Sequence, residues 1–195
     1  MDFLELMQKS EPYSAFYNEM PNELQINAKN ICLEYNLTRA DEEERRQSIL
    51  AELFGTKKDK LLINPNFNCD YGFNIHFHGF SLINYNCVIL DTSPVNIGDG
   101  VLIAPGVCIA CAGHAIFPEQ RLSGVLTSKP ITIEDGVWIG ANSTVCGGVT
   151  IGKNSIIGAG SVVNKNIPSN VIAVGNPCRV LRKITEKDRI VPIIY

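Results

Sequence analysis

Between residues 131 and 166, ITIEDGVWIGANSTVCGGVTIGKNSIIGAGSVVNKN, an aliphatic residue returns at every sixth position: Ile133, Ile139, Val145, Ile151, Ile157 and Val163. A half-buried strand would repeat every second residue and a helix every 3.6. A period of six suits a coil with three flat faces, one hexad to a face, so that eighteen residues complete a turn. Ile133 then lies beneath Ile151, Ile139 beneath Ile157 and Val145 beneath Val163. Successive turns sit ~4.8 Å apart, the spacing of paired strands. Positions two before each aliphatic are small or aliphatic: Ile131, Val137, Ser143, Val149, Ser155 and Ser161. Gly140, Gly152 and Gly158, with Asn142 and Asn154, are expected at the corners, where Gly and Asn tolerate positive φ. Short hexads of this kind mark a parallel β-helix.

The 195 residues allow one core-bearing domain and a small appendage. A formal net charge of −3 gives no electrostatic reason to expect nucleic acid. There is no run of eighteen apolar residues, so no membrane span is expected. The opening MDFLELMQKSEPY lacks a basic start followed by an apolar run, so no signal peptide is expected. Seven cysteines scattered among apolar neighbours read as reduced thiols, which points to the cytoplasm.

Residues 1–60 carry most of the charge clusters and form an N-terminal helical segment. Leu24, Ala28, Ile31 and Cys32 share one helical face. Thr38, with Asp41 three residues on, predicts the start of a second helix, whose stripe is Ile49, Leu50, Leu53 and Phe54 and which Gly55 stops. The two helices are expected to pack on a flat side of the coil.

The β-helix is expected over 61–180, with a tail over 181–195. Leu61–Ile63 reads as its first strand, and Phe77, Ile83 and Ile89 recur at six. The gap from Ile89 to Ile97 is eight, which predicts a bulge at Thr92, Ser93 and Pro94. Ile109 and Ile133 are 24 apart, still a multiple of six, so 113–130 reads as a loop thrown out of the coil. Long loops in compact domains are usually functional.

His114 stands at the root of that loop, where a neutral imidazole can act as a general base or simply bond to backbone. His76 and His78 alternate with Ile75 and Phe77 and point to one face, in a structural role. Cys108 and Cys111 have the spacing of a redox or zinc pair, but no second pair matches them, so no metal is expected.

Several segments together resemble one family, the maltose/galactoside O-acetyltransferases of the hexapeptide-repeat superfamily. They are CDYGFNIHF (69–77), the Ile83-Asn84-Tyr85-Asn86 and Leu90-Asp91 segment, and IGDGVLIAPGVCI (97–109). Gly113-His114, ITIEDGVWIGAN (131–142), VTIGKNSIIGAGSVVNKNIP (149–168) and GNPCRVLRKI (175–184) follow in order. The resemblance implies a mainly β protein built on a left-handed parallel β-helix, although the general rule for crossovers favours the right hand. It implies transfer of acetyl from acetyl-CoA to a hydroxyl of a sugar or similar small acceptor in a homotrimer, with His114 as general base. Asn84, Asp91, Asn18 and Asp70 match positions on the acceptor side. Trp138, Ala141, Ala159, Lys165, Arg179 and Arg182 match positions along the CoA. Departures gather on the acceptor side: Ala115 stands where the family has Pro, Asn18 where many members have Asp and Gln25 where they have Arg. Acetyl transfer to an amine and a non-catalytic scaffold are the rival readings.

Overall fold

The computed structural model describes residues 3–192. Its body is a parallel β-solenoid of about six turns. The hexad register is as the repeat predicts: Ile133 pairs with Ile151, Ile139 with Ile157 and Val145 with Val163. All six inward aliphatics are buried, as are the small residues two before them. The inward serines reach backbone carbonyls, Ser143 and Ser161 to Gly158 and Ser155 to Pro168, so none leaves a buried hydroxyl unpaired.

The glycines divide into two kinds. Positive φ is carried by Asn142 and Asn154, as expected, and by Gly100, Gly106, Gly136, Gly148 and Gly160. Gly140, Gly152 and Gly158 are not among them. Their constraint is contact: a Cβ on Gly140 would lie 2.5 Å from the Ala159 nitrogen of the next turn.

The lower turns are longer than the regular repeat. Lys57 pairs with Phe77 and Phe77 with Ile97, turns of 20 residues. Ile97 then pairs with Ile133, a separation of 36 and twice the regular 18. The extra residues always leave at one corner, between the third face and the first. There the chain passes through 70–74, then 91–94, then the long excursion after Cys111. The bulge at 92–94 is legible in the sequence as a gap of eight; its counterpart between Cys69 and Phe77 is not, because Cys69 does not stand out as a hexad aliphatic.

The excursion is not an irregular loop. Ala112–His114 pairs antiparallel with Val125–Ser128, which pairs in turn with the N-terminal strand Tyr13–Phe16. With α1 (Phe3–Met7) numbered first, the helices are α2 (Asn22–Leu37), α3 (Glu43–Leu53) and α4 (Pro118–Leu122), the last lying within the excursion. Met7, Tyr13, Ala15, Met20, Tyr71 and Leu126 form a second small core that binds the N-terminal segment to the bulged corner.

The helix boundaries differ from expectation. Thr38 closes α2 instead of opening α3: its hydroxyl donates to the Glu34 carbonyl at 2.7 Å. Residues 38–42 are the turn, in which the Glu42 carboxylate accepts the Arg39 backbone N–H. Leu24 is exposed, and the buried face of α2 is Ala28, Ile31, Cys32 and Tyr35. Nor do the helices lie on a flat side. α2 packs against Asn68–Cys69 and α3 against Thr56–Lys57, both in the first turn. Their apolar residues join the inward ladder in one core, with the Phe54 ring edge-on to Phe67 at 5.8 Å and tilted against Phe77 at 5.0 Å. They close the open end of the coil, where the inward ladder would otherwise meet water. The first solenoid strand, Thr56–Lys57, precedes residue 61. At the far end Arg179–Lys183 folds back antiparallel on Val171–Val174 and ends the ladder.

Candidate active site

The bulged corner holds a cavity of about 160 Å³ lined by Tyr17, Met20, Asn22, Gln25, Asp70, Tyr71, Thr92, Ala112, Gly113, His114 and Leu126. His114 ends the strand Ala112–His114, is exposed, and its ring bonds to no other described residue. Its ring nitrogens are left open to the solvent side of the cavity. The backbone just beyond it is held from α4: Arg121 donates to the carbonyls of Ala115 and Ile116 at 2.8 and 2.5 Å.

Asp70 sits in the same wall. One carboxylate oxygen accepts the Gln25 side-chain amide at 3.0 Å, which ties α2 to the corner. Burial pushes the Asp70 carboxyl above its ordinary pKa, against the smaller effects of Gln25 and Lys29. Asp91 lies behind this wall, fully buried, and is not part of the lining. Its carboxylate accepts the backbone N–H groups of Asp70, Tyr71 and Asn74 at 3.1, 2.8 and 3.3 Å. Burial raises it to about 7 despite those donors. Asp91 therefore shapes the bulge of the turn below and does not reach the cavity. Beside it, Thr92, Ser93 and Ser128 share hydroxyl hydrogen bonds of 2.6 and 2.7 Å, and Tyr13 donates to the Thr92 carbonyl at 2.6 Å.

The remaining sequence-matched residues lie elsewhere. Asn18 is exposed next to Ser123 and Gly124, and its neighbour Tyr17 is the one that lines the cavity. Asn84 ends the second face, where its side chain meets Asn64 at 3.4 Å and accepts the Tyr85 N–H. Trp138 points outward from that face, 48% exposed. Ala141 and Ala159 follow at the corner between second and third faces. Arg179 and Arg182 lie on the strand that caps the second face, Arg182 paired to Asp188 through two bonds of 2.7 Å. Lys165 stands past the third face, exposed and without an ion pair among the described residues. One chain thus carries the family-matched residues in two separate groups. His114 and Asp70 are at one corner; Asn84, Trp138, Ala141, Ala159 and the arginines run along the second face and its edge.

Tyr17, Met20, Tyr71, Thr92 and Leu126 do not stand out in the sequence as lining residues. They come from the N-terminal strand region, two turns of the coil and the excursion, and no motif spacing joins them. His76 and His78 point outward from the first face and bond to Thr56 and Asn96 at 3.2 and 3.0 Å. Among the described residues no group of three or more His, Cys, Asp or Glu is placed to hold a metal ion. Among them, too, no helix is long and apolar enough to cross a membrane.

Comparison with known proteins agrees with this architecture. Residues 130–165 match the family described as bacterial transferase hexapeptide (six repeats), and residues 6–58 match the maltose acetyltransferase hexapeptide capping motif. The chain is 43% identical to the galactoside O-acetyltransferase of Escherichia coli K12 over 167 residues, which covers 86% of this chain and 82% of that protein. A crystal structure of a maltose O-acetyltransferase from Clostridium difficile 630 superposes with a TM-score of 0.88 at 41% identity, covering 95% of this chain and 99% of that one. A galactoside acetyltransferase in complex with coenzyme A superposes at 0.87 with 40% identity, covering 96% and 94%. Coils of opposite hand cannot superpose this closely, so the solenoid has the left hand of that fold. The chain belongs to the maltose/galactoside O-acetyltransferase family of hexapeptide-repeat acetyltransferases.

Proposed function

We propose that this protein transfers acetyl from acetyl-CoA to a hydroxyl of a sugar or similar small acceptor, with His114 as the general base. The observation that carries the reading is an unpartnered imidazole at the mouth of a corner cavity, in a chain closely similar to a CoA-bound acetyltransferase. An alcohol is a weak nucleophile at neutral pH, so a positioned base is what the chemistry needs. The acceptor oxygen attacks the thioester carbonyl carbon as His114 takes its proton. The tetrahedral intermediate collapses, the C–S bond breaks, and the proton passes to the departing CoA sulfur. A backbone N–H is suited to the oxyanion, and that of Ala141 is the candidate. Trp138 and Ala159 would flank the pantetheine, with Lys165, Arg179 and Arg182 near the phosphates; Arg182 would share its charge with Asp188.

The working form is a homotrimer. Leu62, Leu82, Leu102, Trp138, Ile156 and Ile172 form an apolar ladder on the outside of the second face. Val88, Cys108, Thr144 and Val162 continue this character on the third face. The first face instead shows Thr56, His76, Asn96, Thr132 and Thr150. Association of two faces places the Asn84 corner of one chain against the His114 corner of the next. The cavity of about 160 Å³ is half the size of the smallest ordinary ligand site, roughly 300 Å³. A shared site accounts for the shortfall. The seven cysteines, all free, suit a reducing cytoplasm.

The test is release of CoA from acetyl-CoA, read by mass spectrometry, across sugars, amino sugars and amines. A hydroxyl acceptor should turn over, and His114→Ala should lower kcat by about 10²–10⁴ with the fold kept. Full activity in a well-folded His114→Ala protein sinks the base assignment. Turnover with amines alone means N-acetyl transfer. No turnover and no CoA binding means a scaffold.

A further inference from the structure

Within the transferase reading, the acceptor pocket has a charge that nothing in its lining balances. Asp70 is half buried in the wall, and its side-chain partner is the neutral amide of Gln25. Among the described residues no Lys or Arg lines the cavity. The nearby cation Lys29 lies on the exposed side and donates to the Gln25 carbonyl oxygen at 3.0 Å. Taking a carboxylate out of water is costly unless a partner restores its charge balance. A ligand that brings positive charge gains a charge-assisted hydrogen bond, about twice as strong as a neutral one. An anionic ligand is repelled. Tyr17 and Tyr71 also line the cavity, and aromatic residues are compatible with a cationic ligand.

We propose that the preferred acceptor is an amino sugar or amino alcohol whose ammonium group pairs with Asp70 while a neighbouring hydroxyl is acetylated at His114. The bond formed is an oxygen ester. The ammonium nitrogen keeps its three protons, has no lone pair to attack with, and serves as a handle. Gln25 is then a specificity-determining residue: an arginine in its place would neutralise Asp70 internally and remove the preference.

This inference rests on the acetyl-transfer reading, and the experiment separates the two. Glucose, glucosamine and N-acetylglucosamine differ at a single position and are compared as acceptors. Glucosamine should show a kcat/KM about 10-fold or more above the other two, as a hydrogen bond to a charged group implies. NMR of the product should place the acetyl group on oxygen. In Asp70→Asn and in Gln25→Arg the three values should draw together. Equal use of the three by the wild type, a preference that survives Asp70→Asn, or acetyl on nitrogen overturns the proposal. Saturation-transfer NMR gives a readout without turnover. If no acceptor reacts, the transferase reading fails; selective binding of glucosamine lost in Asp70→Asn still supports the ammonium site, and equal binding of the sugars removes it.

Discussion

Asp91 shows how a buried carboxylate can be useful without touching a ligand. Three backbone N–H groups of the turn below converge on it, and they keep the bulge at residues 70–74 in shape. Its pKa is raised to about 7, against roughly 3.9 in an unfolded chain. The folded chain therefore holds a proton between about pH 4 and pH 7 that the unfolded chain has released. This contribution is fully present below about pH 4 and is lost as pH rises towards 7. Asp70 is shifted in the same direction, so the useful comparison is between proteins. Denaturant midpoints of the wild type should fall more steeply across that window than those of Asp91→Asn. Parallel curves would refute the assignment. The glycines allow a second comparison. Gly160 has φ +70° and a Cβ added to it would meet no atom within 4 Å, so Gly160→Ala should cost about 1–2 kcal/mol of left-handed strain. Gly140→Ala should cost more, since its Cβ would meet backbone of the next turn at 2.5 and 2.8 Å and a backbone ladder cannot step aside. Urea denaturation ranks the two, and the reverse order contradicts the contact argument.

At the scale of elements, the excursion does more than break the repeat. Its two strands form a small sheet with Tyr13–Phe16, which holds His114 at the corner, and α4 lies between them in the chain. Arg121 ties α4 to the carbonyls just after His114. Arg121→Met should lower kcat/KM about 10-fold through misplacement of the imidazole, with little change in melting temperature, because the solenoid core is untouched. A variant with normal kinetics shows that the strand pairing alone is sufficient. The sequence shows that something leaves the coil here, because 24 residues preserve the hexad phase. It does not show a folded unit, because the partner strand lies about a hundred residues earlier, and pairing at that separation has no local signature. The same reason hides the use of Thr38. A hydroxyl between two helical patterns can cap either side, and here it bonds back to Glu34.

For the whole molecule, the outward ladder is the feature that a single chain leaves unexplained. Leu102 is 42% exposed in the middle of the second face, between Leu82 and Trp138 in register. In the proposed trimer it is buried, so Leu102→Glu should reduce the assembly from about three chains to one of 21.4 kDa by light scattering, with loss of activity. A monomeric wild type, or a Leu102→Glu protein still trimeric, rules out this face as the contact. By itself the sequence determined the solenoid and its register, since a strict period of six admits one way to bury every inward aliphatic. Through the resemblance it also pointed to the family and to His114. Only the tertiary structure added the bulge at 70–74, brought all three departures to one corner and showed that the helices close the coil's end. It alone placed Asp91 behind the cavity with Asp70 and Gln25 in its wall. Hexad phase records which side chains point inward, whereas a cavity is made by side chains that point outward from segments far apart in the chain.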